Sequence, residues 1–278
     1  MAKATRIHLL LIDPQFDFTD PSGALFVPGA EKDAPRVAKL IDRLAKHLDD
    51  IHVTVDSHQE MDISHPMWFK DPGGMHPTPF TLIPPEDMES GKWTTTLPGC
   101  FKRTLEYTKA LKAGNRFVHT IWPEHCLIGT RGHAIQSDIR KALADWCRMH
   151  YCQVDYVTKG SNPWTEHFSG VKAEVPDPAD PSTQVNTRLI STLGSEADII
   201  LIAGEAGTHC VRFTLEDIVT EFANPDYVKK MVVLEDAMSY VPDPPPFPGL
   251  FSKPANDFYA RMKSMGVTFT TTDKFLSQ

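Results

Sequence analysis

The chain lacks the long apolar run that a membrane-spanning helix requires. Such a helix needs about 20 consecutive apolar residues, and no run in the 278 residues approaches that length. The apolar stretch near the N-terminus ends at Asp13 after five residues. This is too short for the apolar region of a secretory signal, so we interpret it as a buried strand. We expect neither a membrane span nor a cleaved leader.

Positive charge is also scarce. The 28 basic residues are outnumbered by 36 acidic residues, which gives a formal net charge of −8. A nucleic-acid-binding domain normally presents a basic face, so we expect no nucleic-acid partner. The hydrophobic fraction of 41% and the charged fraction of 23% are ordinary for a globular chain and exclude extensive disorder.

Cysteine is rare, whereas histidine and proline are abundant. Five cysteines in a chain of this length argue against a disulfide framework and favour a reducing, cytoplasmic setting. The 12 histidines and 23 prolines both exceed what average composition leads one to expect. The prolines concentrate at 66–85, 176–181 and 242–254. Because proline fixes φ, we interpret these segments as ordered loops.

Short apolar runs alternate with segments of helical periodicity. The runs predict strands at 6–13, 51–56, 117–122, 154–158, 198–203, 230–234 and 267–271. The periodic segments predict helices at 31–50, 132–152, 210–222 and 256–265. Alternation of this kind is typical of an α/β fold with a mainly parallel sheet and helices on both faces. We predict one domain over 1–278, with long loops at about 66–115, 161–186 and 241–255. A boundary near residue 245 is the alternative, but the tail beyond it is too short to form its own core.

The ends of the predicted strands carry reactive side chains. In an open α/β sheet, sites form beyond the carboxyl ends of the strands. Cys210 follows a glycine-containing turn and opens a predicted helix. The helix N-terminus is expected to lower the pKa of such a thiol and to supply N–H groups to an oxyanion. A buried structural cysteine is the competing interpretation.

Asp13 and Lys159 are the candidate partners of that thiol. A carboxylate can accept the thiol proton and return it to a leaving group, and an ammonium group stabilises both anions. Alternatively, Asp13 is a turn residue before proline and Lys159 is a solvated lysine.

A second set of side chains has the character of metal ligands. Asp56 and His58 lie two residues apart at a strand end, so they point to the same side. His125 would complete a carboxylate–imidazole set for a transition metal, with His65 or His76 as a fourth ligand. Several other histidines, such as His47, His52, His133 and His150, are expected to be solvated.

Six segments between residues 9 and 218 form a series of motifs. They are LLLIDPQFDF at 9–18, GALFVPGA at 23–30, VTVDSH at 53–58, WPEHCLIGTRG at 122–132, TKG at 158–160 and GEAGTHCVRFTLEDI at 204–218. With these motifs the chain resembles the nicotinamidase branch of the isochorismatase-like cysteine hydrolases. The resemblance implies a three-layer α/β/α sandwich with a mainly parallel central sheet.

The resemblance also implies roles for individual residues. It places a catalytic triad on Asp13, Lys159 and Cys210 and an oxyanion hole on the backbone N–H groups of Ala206 and Cys210. The implied metal ligands are Asp56, His58 and His125, with His65 as a candidate fourth ligand one residue from the family's common position. The implied substrate contacts are the aromatic residues Phe16, Trp122 and Phe168. The bond between Glu205 and Ala206 matches a cis peptide of the family, although Glu205 replaces the usual apolar residue.

The implied activity is that of a metal-assisted cysteine amidohydrolase. The leading reaction is hydrolysis of nicotinamide to nicotinate and ammonia through a thioester on Cys210, with zinc, iron or manganese as the divalent metal. A different small amide or ureido substrate, or a non-catalytic binding subunit with the same fold, is the alternative. A small-molecule amide is thus the expected partner, without nucleic acid or membrane. Because relatives often self-associate, the resemblance is compatible with a homo-oligomer. The role is either pyridine nucleotide salvage or amide catabolism.

Overall fold

The computed structural model describes residues 5–114, 116–222 and 224–277. The strands are β1 Ile7–Ile12, β2 Leu48–Asp56, β3 Phe69–Lys70, β4 Thr94–Thr95, β5 Asp155–Lys159, β6 Ile199–Gly204, β7 Met231–Leu234 and β8 Thr268–Thr270. The helices are α1 Phe16–Thr19, α2 Ala30–Leu44, α3 Pro85–Glu89, α4 Phe101–Gly114, α5 Ser137–His150, α6 Thr187–Ser195, α7 Cys210–Glu221, α8 Pro225–Val228 and α9 Ser252–Ser264. Among these described helices, none has the length and apolar character needed to cross a membrane.

Six of the strands form one sheet in the order β5-β2-β1-β6-β7-β8. Every neighbouring pair in this sheet is parallel. The remaining strands, β3 and β4, form a small antiparallel pair. The parallel α/β prediction is confirmed.

The alternation of side chains along β1 explains why helices cover both faces of the sheet. Leu9 and Leu11 contribute to one core together with α2 and α5, whereas Leu10 and Ile12 contribute to the other together with α6, α7 and α9. These four side chains of β1 have no exposed surface. Burial of a leucine or isoleucine side chain contributes roughly 1.5–3 kcal/mol, so β1 has a strong preference for the sheet centre.

Several predicted element boundaries are wrong. The run 117–122 is not a strand of the sheet, because its only β pairing among the described residues is an isolated bridge from Thr120 to Leu82. The helix predicted at 31–50 ends at Leu44, and Leu48 already belongs to β2. The predicted loop at 66–115 contains α3 and α4, which cover a third apolar cluster that includes Trp68, Phe69 and Ile121.

The register of the sheet brings the ends of its central strands together. Asp56, the last residue of β2, lies opposite Lys159, the last residue of β5. Ile12 pairs with Gly204 at the end of β6, and Asp13 follows directly. A Cβ on Gly204 would lie 1.9 Å from the Ile12 carbonyl oxygen, and its φ is +122°. Only glycine therefore permits this close approach of β1 and β6.

Candidate active site

The three predicted catalytic side chains lie together at this edge of the sheet. The Nζ atom of Lys159 lies 2.9 Å from Oδ2 of Asp13 and 3.7 Å from Sγ of Cys210. It also lies 3.1 Å from Oδ1 of Asp56 and donates to the His167 carbonyl at 2.8 Å. Since Lys159 is only 2% exposed, its charge is balanced by these buried carboxylates rather than by water.

The pKa values of Asp13 and Lys159 follow from this burial. Burial raises the pKa of Asp13 above its ordinary value, with Lys159 acting in the opposite direction. Burial also opposes the charge of Lys159, but Asp13 and Asp56 outweigh it and raise the pKa of the ammonium group well above its usual range. Asp13 is thus a stronger base than an exposed aspartate, held beside a fixed cation.

The expectation of a lowered pKa for the Cys210 thiol is wrong for this structure. Burial raises its pKa well above the ordinary value, and the stabilising effect of Lys159 does not compensate. The position of Cys210 at the first residue of α7 is nevertheless as predicted. The resting thiol is protonated, so its reaction as a nucleophile requires a base, and the nearby Asp13 can take that proton.

Asp56, His58 and His125 form a compact group of donor atoms. One ligand atom from each lies within 4.8 Å of the others, and all three residues are buried. Oδ2 of Asp56 is 3.1 Å from Nε2 of His58 and 3.4 Å from Nε2 of His125. Tetrahedral ligands at ~2.1 Å from a zinc ion lie about 3.4 Å apart. The donor set and its spacing therefore fit a transition metal.

The histidines of this group are oriented by hydrogen bonds on their other nitrogen. Nδ1 of His58 lies 3.1 Å from Oδ2 of Asp62, and Nδ1 of His125 lies 2.8 Å from the Pro123 carbonyl oxygen. Partners of this kind fix the tautomer of metal-binding histidines. Burial disfavours the charged form of His58, but Asp56 and Asp62 outweigh it and raise its pKa well above the usual value.

His65 lies beside the group, although it does not belong to the set of three. Its ring centroid is 5.2 Å from that of His58 and 5.5 Å from that of His125. Its Nε2 is buried and has no hydrogen-bond partner among the described residues, and burial with the neighbouring histidines lowers its pKa to about 3. A neutral imidazole with a free nitrogen beside the group suits a fourth ligand. The other candidate, His76, instead donates from its Nδ1 to the Phe69 carbonyl oxygen at 2.7 Å.

The backbone around Cys210 has two amides available for an oxyanion. The peptide between Glu205 and Ala206 is cis, as predicted. Within the described part of the chain, neither the amide of Ala206 nor that of Cys210 donates a hydrogen bond to another residue. Glu205 itself is buried and points to the backbone N–H of Ser239, at 3.1 Å from its Oε2.

A small cavity lies against the thiol. Its volume is about 30 Å³, and its lining includes two of the predicted substrate contacts, Trp122 and Phe168, together with Cys210 and His125. Phe16, the third predicted substrate contact, does not line it, and the Arg131 guanidinium lies 4.1 Å above the Phe16 ring. The residue two positions further, Phe18, lines the cavity instead.

Other buried residues support the site and had no strong sequence signal. Thr54 donates to Oδ1 of Asp13 at 2.6 Å, and the side-chain amide of Gln15 bonds to both backbone groups of Asp56. Thr54 lies two residues before Asp56 on β2, so the period of two along a strand is the signal that identifies it. His52, expected to be solvated, is also buried, where it contacts His8 and Asp155.

Sequence comparison identifies no relative: no family model matches the chain, and no curated protein does so either. Comparison with solved structures does find similar proteins. The chain matches an Acinetobacter baumannii nicotinamidase/pyrazinamidase with a TM-score of 0.60 at 19% identity, over 99% of this chain and all of the other. It matches yeast nicotinamidase Pnc1p bound to the inhibitor nicotinaldehyde with a TM-score of 0.62 at 19% identity, over 95% and 99% of the two chains.

A third match is the pyrazinamidase of Pyrococcus horikoshii in complex with zinc. Its TM-score is 0.54 at 21% identity, over 95% of this chain and 98% of the other. At such identities the likeness concerns the fold, and it extends over nearly the whole length of each chain. The chain has the isochorismatase-like α/β fold of the nicotinamidases and pyrazinamidases.

Proposed function

We propose that this protein is a metal-assisted cysteine amidohydrolase that hydrolyses nicotinamide to nicotinate and ammonia. The observation that carries the proposal is the convergence of Asp13, Lys159 and Cys210 in one buried cluster. The thiol of this cluster lines a small cavity that Asp56 and His125 also line. Solved proteins of the same fold are named as nicotinamidases, and one from L. infantum is in complex with nicotinate. The family resemblance of the motifs supports the same assignment.

The chain's own residues account for the proton transfers. Asp13 accepts the proton of the Cys210 thiol, and the thiolate attacks the carboxamide carbon. The amides of Ala206 and Cys210 hold the oxyanion. When the C–N bond breaks, Asp13 returns the proton to the departing ammonia and a thioester remains on Cys210. Water then cleaves the thioester, Asp13 takes its proton, and the thiol is restored.

Lys159 keeps these charges in place throughout the cycle. Its ammonium group lies beside both Asp13 and Cys210, so it stabilises the carboxylate before proton transfer and the thiolate after it. A divalent metal held by Asp56, His58, His125 and His65 would supply a Lewis acid that binds the ring nitrogen of the substrate, directly or through water. Zinc, present in the Pyrococcus horikoshii complex, is one of three metals that suit this donor set, with iron and manganese.

Substrate binding requires the cavity to widen. A volume of about 30 Å³ holds roughly two water molecules and cannot admit a pyridine ring. Trp122, Phe168 and Phe18 form apolar walls whose outward movement would give the ring access to the thiol. In a cell, the reaction would place the protein in pyridine nucleotide salvage in the cytoplasm.

Ammonia release from nicotinamide tests the proposal directly. We expect turnover by the metal-loaded protein and none by Cys210→Ala, whereas Cys147→Ala, which removes a partly buried cysteine of α5, should match the wild type. No ammonia from the metal-loaded wild type would refute the nicotinamidase assignment. Elemental analysis of the purified protein is the second measurement: absence of a transition metal would favour a metal-free hydrolase of a ureido compound.

A further inference from the structure

A second and larger cavity lies on the other side of two residues that line the Cys210 cavity. Its volume is about 280 Å³, near the lower end of the range for small-molecule sites. Trp122 and His209 line both cavities, and their rings are in edge contact with centroids 5.1 Å apart. These two rings therefore form a dividing wall. The larger cavity has no role in the reaction proposed above.

The lining of the larger cavity combines aromatic rings with cationic side chains. Phe117, Phe213 and Phe251 supply apolar surface in addition to the dividing wall. Lys112, Arg116 and Arg212 supply positive charge. No acidic residue of the described chain lines this cavity. The chemistry of its surface is thus suited to an anion that carries an apolar body.

Two of the three cations are already neutralised. Lys112 pairs with Glu86 at the surface. Arg116 uses one terminal nitrogen for Glu174, at 3.1 Å, and for Asp217, at 3.3 Å. Its Nε and other terminal nitrogen are buried without a hydrogen-bond partner among the described residues.

Arg212 is the cation that lacks a counter-ion. Its guanidinium makes no hydrogen bond or ion pair with any residue in the described ranges, and its Nε is buried. Burial lowers its pKa, which Glu216 only partly offsets. A partly buried guanidinium without an acceptor is energetically unfavourable, and a bound anion would remove that penalty.

The position of Arg212 on α7 separates it from the thiol. It follows Cys210 by two residues, which corresponds to a rotation of about 200° around the helix. The two side chains therefore leave the helix on nearly opposite sides. The first turn of α7 presents the thiol to one cavity and the guanidinium to the other.

We propose that the larger cavity binds a small aromatic monocarboxylate, with its carboxylate on Arg212 and its ring among the phenylalanine side chains. One unneutralised guanidinium matches a single negative charge, and its planar fork matches the two oxygens of a carboxylate. The ring of the ligand fits the aromatic lining. Within that lining, the Arg116 guanidinium already lies 4.4 Å from the centroid of the Phe213 ring. This site is distinct from the one at Cys210, and the inference does not depend on the reaction proposed there.

Calorimetric titration of the full-length protein with benzoate tests the proposal. Benzoate has the ring and the charge but no ring nitrogen for a metal. We expect one benzoate per chain, and at least about ten-fold weaker binding of neutral benzamide and of inorganic phosphate. Arg212→Met should weaken benzoate by about ten-fold or more, the effect of losing hydrogen bonds to a charged group. Arg261→Met, an exposed arginine of α9 that does not line the cavity, should bind as the wild type does.

Two further variants locate the ligand and guard against misfolding. Leu250→Trp places a larger side chain on the cavity lining and should abolish benzoate binding. This variant tests the location of the site independently of whether Arg212→Met folds. Cys210→Ala should bind benzoate as the wild type does, whether or not the protein hydrolyses nicotinamide. Equal binding of benzoate and benzamide, unchanged binding by Leu250→Trp, or loss of binding in Cys210→Ala would each overturn the proposal.

Discussion

Replacing Glu205 by glutamine should make the protein more resistant to unfolding at neutral and alkaline pH. The Glu205 carboxyl is 2% exposed and lies next to the Asp33 carboxyl of α2, with Glu31 contributing further negative charge. Burial and these two acids raise the pKa of Glu205 well above its ordinary value of 4.5. Burial also raises the pKa of Asp33, even though Ser239 and Arg36 donate hydrogen bonds to it. The native pair therefore retains a proton that the unfolded chain loses.

The sign of the effect follows from proton binding. Above pH 4.5 the folded state holds more protons than the unfolded state, so the free energy of unfolding falls as the pH rises toward the folded pKa of Glu205. Each pH unit in that window removes up to about 1.4 kcal/mol for one proton. A glutamine keeps an N–H donor for Asp33 and an acceptor for Ser239, but it does not titrate. The stability advantage of Glu205→Gln should thus be smallest at pH 5 and should grow by up to about 1.4 kcal/mol per pH unit.

Urea denaturation at pH 5, 6, 7 and 8 measures this difference, provided that the dependence on urea concentration is the same for both proteins. Glu106→Gln, an exposed position on α4, is the matched control and should follow the wild type within about 0.5 kcal/mol at every pH. If the difference between Glu205→Gln and the wild type stays constant from pH 5 to pH 8, Glu205 is not protonated in the native state and the reasoning fails.

Four further changes have definite expected outcomes. Lys159→Met should abolish amide hydrolysis and lower the free energy of unfolding by roughly 3–5 kcal/mol, because it leaves buried carboxylates unpaired. Ammonia release and urea denaturation measure these two effects, and Lys141→Met on the surface is the control. Gly204→Ala should yield little folded protein, judged by circular dichroism, because its Cβ would overlap the β1 backbone. Ile41→Ala should cost about 2–5 kcal/mol in urea, since Ile41 has no exposed surface. Chelation of the metal-loaded protein should lower its Tm, whereas the same treatment of His58→Ala should leave its Tm unchanged.

Strand ends were the most predictable part of the site. The place of Asp13, Asp56 and Lys159 after apolar runs predicts them as site residues. The parallel sheet brings them together because the carboxyl ends of its strands share one edge. The resemblance of the motifs to a known family assigns catalytic and metal-binding roles to these residues. Hydrophobic periodicity carries no information about such roles.

Loop residues and helix α4 are harder to predict from the sequence, for physical reasons. The buried face of α4 consists of Thr104, Tyr107, Thr108 and Leu111. These positions have helical spacing, but two of them are threonines, so a count of apolar residues does not detect the helix. The run 117–122 is apolar because Ile121 and Trp122 pack in two of the apolar clusters. A short apolar run does not reveal whether a sheet or a set of helices covers it. The high pKa of Cys210 depends on burial, which the sequence does not show.

The burial of Cys210 has a consequence for the redox chemistry of the protein. A thiol that is both protonated and buried reacts slowly with peroxide and with alkylating reagents, since these attack the accessible thiolate. Cys152 is exposed, and Cys100 and Cys147 are partly so, so an oxidant in solution meets these side chains first. The burial of Cys210 thus protects the proposed nucleophile while no substrate is bound.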